Sequence, residues 1–223
     1  VFMNDGVIAA ADAGTIMIDS STIDVETAQA TYLAAKAAGF DMIDAPVSGG
    51  VLGADAGTLT FMCGGDKKTF EKAKPILQDM GKNIIHCGKA GLGQATKICN
   101  NMLAGINALA AAEAMVMGER LGVAPETLYN VISTSTGRSY IFENSNPVPG
   151  VSASSPANNN FKPGFMAKLM LKDLRLSQAA AQSASTSTPL GAVATASFQQ
   201  LIENGYGDYD TSSIIKVIDP KMK

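Results

Sequence analysis

A lysine and two carboxamides stand at helical spacing in the segment Gly91-Leu92-Gly93-Gln94-Ala95-Thr96-Lys97-Ile98-Cys99-Asn100-Asn101. Positions 97, 100 and 101 are related as i, i+3 and i+4, so their side chains share one face of a helix. A lysine can give or take a proton, and a carboxamide can orient a polar ligand without adding charge. The rest of this segment is mostly apolar or small. Burying the three groups without partners would cost several kcal/mol in total. The face therefore meets either a polar neighbouring domain or a polar ligand.

Three further segments carry groups of chemical interest. Asp44-Ala45-Pro46-Val47-Ser48-Gly49-Gly50 follows a strand signal, and its two glycines let backbone N–H groups approach an anion closely. Asp19-Ser20-Ser21-Thr22-Ile23 also follows a strand. Ligands of open α/β sheets bind outside the carboxyl ends of strands, although Ser20, Ser21 and Thr22 are equally good helix caps. Leu171-Lys172-Asp173-Leu174 sits inside a helical pattern, where by itself it reads as a solvated charge pair.

Composition removes several alternatives. A net charge of −3 without a basic block gives no footprint for nucleic acid. The most apolar run, residues 102–117, is interrupted by Asn107 and Glu113, short of a membrane span. A single histidine, His86, argues against a His-based metal site or a Ser-His-Asp triad, and its place in an apolar strand gives it a structural role. No metal is expected. Cys63, Cys87 and Cys99 form no C-x-x-C pair and read as buried, reduced thiols.

The elements that must position these residues fall into two classes. Strand signals at residues 15–19, 40–45, 58–63 and 83–87 alternate with helical patterns at 25–38 and 67–79. From residue 89 to 124 no proline occurs and small helix formers dominate, until Gly122 and Pro125 end the run. Such a helix, about 30 residues long, would extend about 45 Å. Further helices are expected at 125–134, 165–184 and 190–204, with an irregular stretch at 144–160. The fold class is therefore α/β then all-α. A partial Rossmann-like sheet domain over residues 1–90 precedes a long helix and an all-helical domain over 91–223.

Taken together these motifs resemble the β-hydroxyacid dehydrogenases, with the 3-hydroxyisobutyrate branch nearest. The residues that carry the likeness are Ile18 to Thr22, Asp44 to Gly50, Gly57-Thr58-Leu59-Thr60-Phe61-Met62, Gly91 to Asn101, Leu171 to Leu174, and the loop Asn146-Pro147-Val148-Pro149-Gly150. The resemblance implies that Lys97 is the general acid/base. It implies that Ser48, Gly49 and Gly50 receive the substrate carboxylate, that Asn101, with Asn100 beside it, anchors the substrate, and that Thr22 and Lys172 touch the cofactor. The implied reaction is NAD-linked oxidation of 3-hydroxyisobutyrate to methylmalonate semialdehyde, with NADP left open as cofactor. A tartronate-semialdehyde or succinic/glyoxylate-semialdehyde reductase shares these motifs, and an inactive fragment or scaffold is the reading from another class.

The likeness departs at the front. Family members begin with a strand, a Gly-x-Gly-x-x-Gly loop and a helix that hold the cofactor pyrophosphate. Gly91-Leu92-Gly93 lacks the third glycine and opens the long helix instead. The resemblance thus implies that at least two βα units of the nucleotide-binding domain are absent from this chain. It also implies a homodimer or homotetramer, and a cytoplasmic location in a bacterium or the mitochondrial matrix in a eukaryote.

Overall fold

The computed structural model describes residues 6–221, which divide into two compact units, one up to Cys99 and one from Asn100. In the first unit, α1 (Val7–Ala10) precedes β1 (Ile16–Asp19), α2 (Val25–Ala37), β2 (Asp41–Asp44), β3 (Val47–Ser48) and α3 (Gly50–Asp55). Then come β4 (Leu59–Gly64), α4 (Lys67–Gln78) and β5 (Gly81–Gly88). β1 and β2 are parallel, with Asp19 in register with Asp44. β4 runs antiparallel to β2 and β3 along one edge and parallel to β5 along the other. The sheet is mixed.

Strand alternation sorts this unit into layers. Ile43 faces one side, where it packs with Phe61, Phe70, Ala73 and Leu77. The helix supplying the last three, α4, buries Thr69, Phe70, Ala73 and Leu77, an amphipathic spacing. Met17 and Met42 face the other side, against Ala35 of α2. By the same alternation Asp19 and Asp44 project toward the α2 side, and both are buried. His86 stacks on Phe70 with ring centroids 4.8 Å apart and lies 2.9 Å from the Gly65 carbonyl through Nε2.

Asp24, not one of the three preceding hydroxyls, caps α2: its carboxylate accepts from the Thr27 backbone N–H at 2.7 Å and the Thr27 hydroxyl at 2.7 Å. That corrects the capping role considered for Ser20, Ser21 and Thr22. These residues lie two to four positions before the cap.

The helix α5 (Leu92–Arg120) runs 29 residues, and the second unit takes it up from Asn100. There it is followed by α6 (Pro125–Ser133), α7 (Tyr140–Asn144), α8 (Ala167–Ser183), α9 (Pro189–Leu201) and α10 (Ile215–Ile218). The core gathers Met115, Phe142, Met170, Leu174, Phe198 and Ile214. Gly105 of α5 allows close approach of α8, since a Cβ there would sit 2.9 Å from Leu174 Cδ2. Among the described residues no helix is long and apolar enough to cross a membrane. The cysteines do not share one environment: Cys63 is buried, Cys87 intermediate and Cys99 exposed. The expectation of three buried thiols holds only at Cys63: Cys87 is half-buried on β5, and at Cys99 Lys97 and Ile98 take the inward side of α5 and the helical turn carries position 99 outward.

Candidate functional site

The site of the first unit begins with β2. Asp44 ends this strand, four residues before Ser48, with its carboxylate aimed at the start of α5. It accepts from the Gly91 backbone N–H at 2.7 Å and the Gln94 backbone N–H at 2.9 Å. The first N–H groups of a helix have no partner within it, and a negative charge there is favoured by the helix dipole. Asp44 thus caps α5 from a distant strand. Burial pushes its carboxyl above the ordinary carboxylate range, while the N–H groups of Gly91 and Gln94 work against that shift.

Two glycines make room for this carboxylate. A Cβ on Gly93 would lie 2.6 Å from Asp44 Oδ2, and one on Gly64 would lie 2.5 Å from Oδ1. A glycine in a helix costs about 1 kcal/mol relative to alanine, so Gly93 is tolerated for this approach and not for its propensity.

Gln94 is completely buried. Its side chain donates to the Ser21 carbonyl at 2.7 Å and accepts from the Ile23 backbone N–H at 3.2 Å. It therefore brackets Thr22, which is half-buried, while Ser20 and Ser21 are exposed at the carboxyl end of β1. Asp19 adds a bond from its carboxylate to the Ser21 backbone N–H at 3.0 Å. Lys97 lies three residues beyond Gln94 on the same helix and is 8% exposed. Ser48 is half-buried at the end of β3, and Gly49 and Gly50 are exposed. Both glycines have positive φ, 135° and 60°, a backbone course that other residues rarely take.

In the second unit, Asn101, Asn100 and Lys172 meet around a fourth residue. Asn101 Nδ2 donates to Asp173 Oδ2 at 2.6 Å, and Asn100 Nδ2 donates to Asn101 Oδ1 at 2.9 Å. Lys172 pairs with Asp173 Oδ1 at 3.0 Å. Asp173 is buried, so the Lys172–Asp173 pair is solvated only on the lysine side. That corrects its reading as a solvated charge pair. α8 turns Asp173 inward, beside Leu174 and Met170, and leaves Lys172 outward.

Sequence reasoning thus missed three residues: Asp44, Gln94 and Asp173. All three lie in motifs noted for their neighbours. Their signal was chemical: an acid at the buried end of a strand, and a carboxamide and an acid where a helix should be apolar.

Residues 91–218 match the family model for the NAD-binding domain of NADP-dependent 3-hydroxyisobutyrate dehydrogenase, and residues 1–88 match that for the NAD-binding domain of 6-phosphogluconate dehydrogenase. The chain belongs to the β-hydroxyacid dehydrogenase family. It is 43% identical over 217 residues to an NAD-dependent L-serine dehydrogenase of Pseudomonas aeruginosa, covering 97% of this chain and 73% of that one. It is 45% identical over 212 residues to a probable 3-hydroxyisobutyrate dehydrogenase of Mycobacterium bovis, covering 95% and 72%. A solved structure of 3-hydroxyisobutyrate dehydrogenase from Mycobacterium tuberculosis with L-serine superposes with a TM-score of 0.90 at 44% identity, covering 95% of this chain and 72% of that one. The family is made of NAD(P)-dependent oxidoreductases.

The hydroxyl residues at the carboxyl end of β1 are of a type that could hydrogen-bond the polar groups of such a cofactor. Three hydroxyl residues, Ser20 to Thr22, stand there on a loop where Asp19 accepts from the Ser21 N–H and Gln94 binds the Ser21 carbonyl and the Ile23 N–H. No Gly-x-Gly-x-x-Gly occurs in this sequence to cradle a pyrophosphate.

Proposed function

We propose that the protein oxidises a small 3-hydroxy carboxylate to its semialdehyde, with 3-hydroxyisobutyrate as the substrate and methylmalonate semialdehyde as the product, a step of valine degradation. The supporting observation is Lys97. It is a buried side chain of a type that can give or take a proton, in the same compact unit as half-buried Ser48 and the exposed Gly49 and Gly50.

In this reading the backbone around Ser48, Gly49 and Gly50 receives the substrate carboxylate. Lys97 Nζ takes the hydroxyl proton during oxidation and returns it during reduction. The nicotinamide, when bound, supplies the acceptor for the hydride leaving the carbinol carbon. Thr22 and Lys172 contact the cofactor, with NAD the first expectation and NADP the second. Asn101 and Asn100 anchor the substrate, pre-set by Asp173. Kinetics of the full-length gene product test the assignment. Lys97→Ala should lower kcat by about 10²–10⁴-fold, the usual worth of a positioned acid or base. Turnover close to wild type rejects it.

L-serine is the second reading, favoured by the printed names of one relative and of one solved structure. It differs from 3-hydroxyisobutyrate at the C2 substituent, amino against methyl. Comparing kcat/KM for the two acids separates the readings.

We also propose a homodimer or homotetramer. Leu103, Met117 and Leu121 on and just past α5 are 57%, 62% and 75% exposed, an apolar surface suited to a second copy. Light scattering on the purified protein measures the assembly, and a monomer at micromolar concentration overturns it.

A further inference from the structure

We infer that Asp44 and Gln94 are the positioning residues of this site: the Asp44 carboxylate sets where the Lys97 end of α5 lies, and the Gln94 carboxamide sets the Thr22 loop against that same helix turn. The inference rests on the proposed role of Lys97.

The wiring is specific. Asp44 accepts from the N–H of Gly91, just before α5, and from that of Gln94 in its first turn, across 47 and 50 residues of sequence. A local cap would finish the helix equally well, so the use of a distant strand residue must do something besides capping. It fixes the start of α5 to the end of β2, from which the chain continues directly into Pro46, Val47 and Ser48. Gly64 and Gly93 leave no Cβ where the carboxylate lies, which holds the helix against the strand end. Gly91 itself has φ 84° and faces Gln29 and Val25 of α2 so closely that a Cβ would clash at 2.8 Å. The first turn of α5 therefore has little freedom to slide or rotate.

Gln94 adds the second coordinate. It is buried, yet both ends of its carboxamide are used on the backbone that flanks Thr22. One residue thus carries a backbone N–H held by Asp44 and a side chain that holds the cofactor-side loop. Lys97 follows three residues later on the same rigid element. A shift of about 1 Å in such a group can cost 10²-fold in rate.

The two residues should fail differently. Asp44→Asn leaves one acceptor for two N–H donors. It should lower kcat at least tenfold while the cofactor KM changes less than threefold. Gln94→Leu keeps the backbone N–H that Asp44 binds and loses both bonds to the loop. It should raise the cofactor KM at least fivefold with a smaller effect on kcat.

A second readout needs no turnover. Competitive acylation of lysines, read by peptide mass spectrometry across pH, reports the reactivity of Lys97 in the protein without cofactor. Asp44→Asn should shift the Lys97 labelling midpoint or change its rate severalfold, with Lys67 and Lys82 unchanged. An unchanged Lys97 profile in folded Asp44→Asn overturns the inference. So does a kinetic loss of the same pattern in both variants. If Asp44→Asn fails to fold, Gln94→Leu decides: an unchanged cofactor KM overturns the inference, and a raised one with an unchanged Lys97 midpoint supports it. Failure of the underlying reading looks different, because Lys97→Ala itself would then keep its turnover.

Discussion

Asn101 and Asp173 are joined by a 2.6 Å hydrogen bond between side chains 72 residues apart, both buried in the second unit. The bond fixes the Asn101 amide group toward Asp173, and its carbonyl oxygen accepts from Asn100. The substitution Asn101→Asp would place a second carboxylate against Asp173. Like charges at that distance in a buried site cannot both ionise cheaply. At pH 7 the variant should lose about 2–4 kcal/mol of stability, and should recover part of it in mild acid as one carboxyl takes a proton. Urea unfolding at pH 7 and pH 5 measures both. Equal destabilisation at the two pH values would show that the charge is not the cause.

Asp44 gives a pH effect of unusual sign for an acid. Burial raises its carboxyl above the ordinary range in the folded protein. The folded state therefore binds this proton more readily than the unfolded chain. The stability it contributes is full below the unfolded value, about 3.9, and is lost as pH rises through the raised folded value. Asp44→Asn removes that dependence. Wild type should gain on the variant, in free energy of unfolding, as the pH is lowered from 7 toward 4. A difference that stays constant or reverses over this range contradicts the assignment.

Asp24 acts in the opposite sense. Its carboxyl is held below the usual carboxylate range, first by the Thr27 backbone N–H and then by the Thr27 hydroxyl. Its contribution is present above about 3.9 and fades as the pH falls through the lowered folded value. Loss of a cap costs about 1 kcal/mol, which for a chain of this size lowers Tm by about 2–4 °C. Asp24→Ala should show that loss at pH 7 by differential scanning calorimetry, and Ser20→Ala should not.

The same contrast explains what was legible in the sequence. Apolar runs bounded by turn and capping residues located β1, β2, α2 and α4 to within a few residues, and the proline-free stretch of small helix formers located α5. The cap of α2 was obscured by four capping residues within five positions, and only the Asp24-to-Thr27 spacing singles out the one used. The direction of β4 was hidden, since antiparallel pairing of Val47 with Phe61 depends on a reversal through Gly49 and the short helix α3 that alternation does not encode. Candidate residues were found because they sit in motifs. Asp173 and Gln94 were passed over because their partners, Asn101 and the Ser21–Ile23 backbone, lie 71 to 73 residues away. A lone sequence gives no measure of such distances.

The thiols provide a test that needs no variant. Burial pushes Cys63 up to about 12, with further contributions from Cys87 and Asp44. At pH 8 it is then almost wholly protonated, and the thiolate is the reactive species. Cys63, on β4, is also buried in the cluster that holds Ile43, Phe70 and Ala73. Cys99 is exposed on α5, and Cys87 is intermediate. Native protein treated with a disulfide reagent at pH 8 should release one fast equivalent from Cys99 and a slower one from Cys87. The third should appear only on unfolding. Peptide mapping after a short pulse assigns each equivalent. Labelling of Cys63 at the rate of Cys99 would mean that the layer of α4 on β4 opens far more readily than its packing allows.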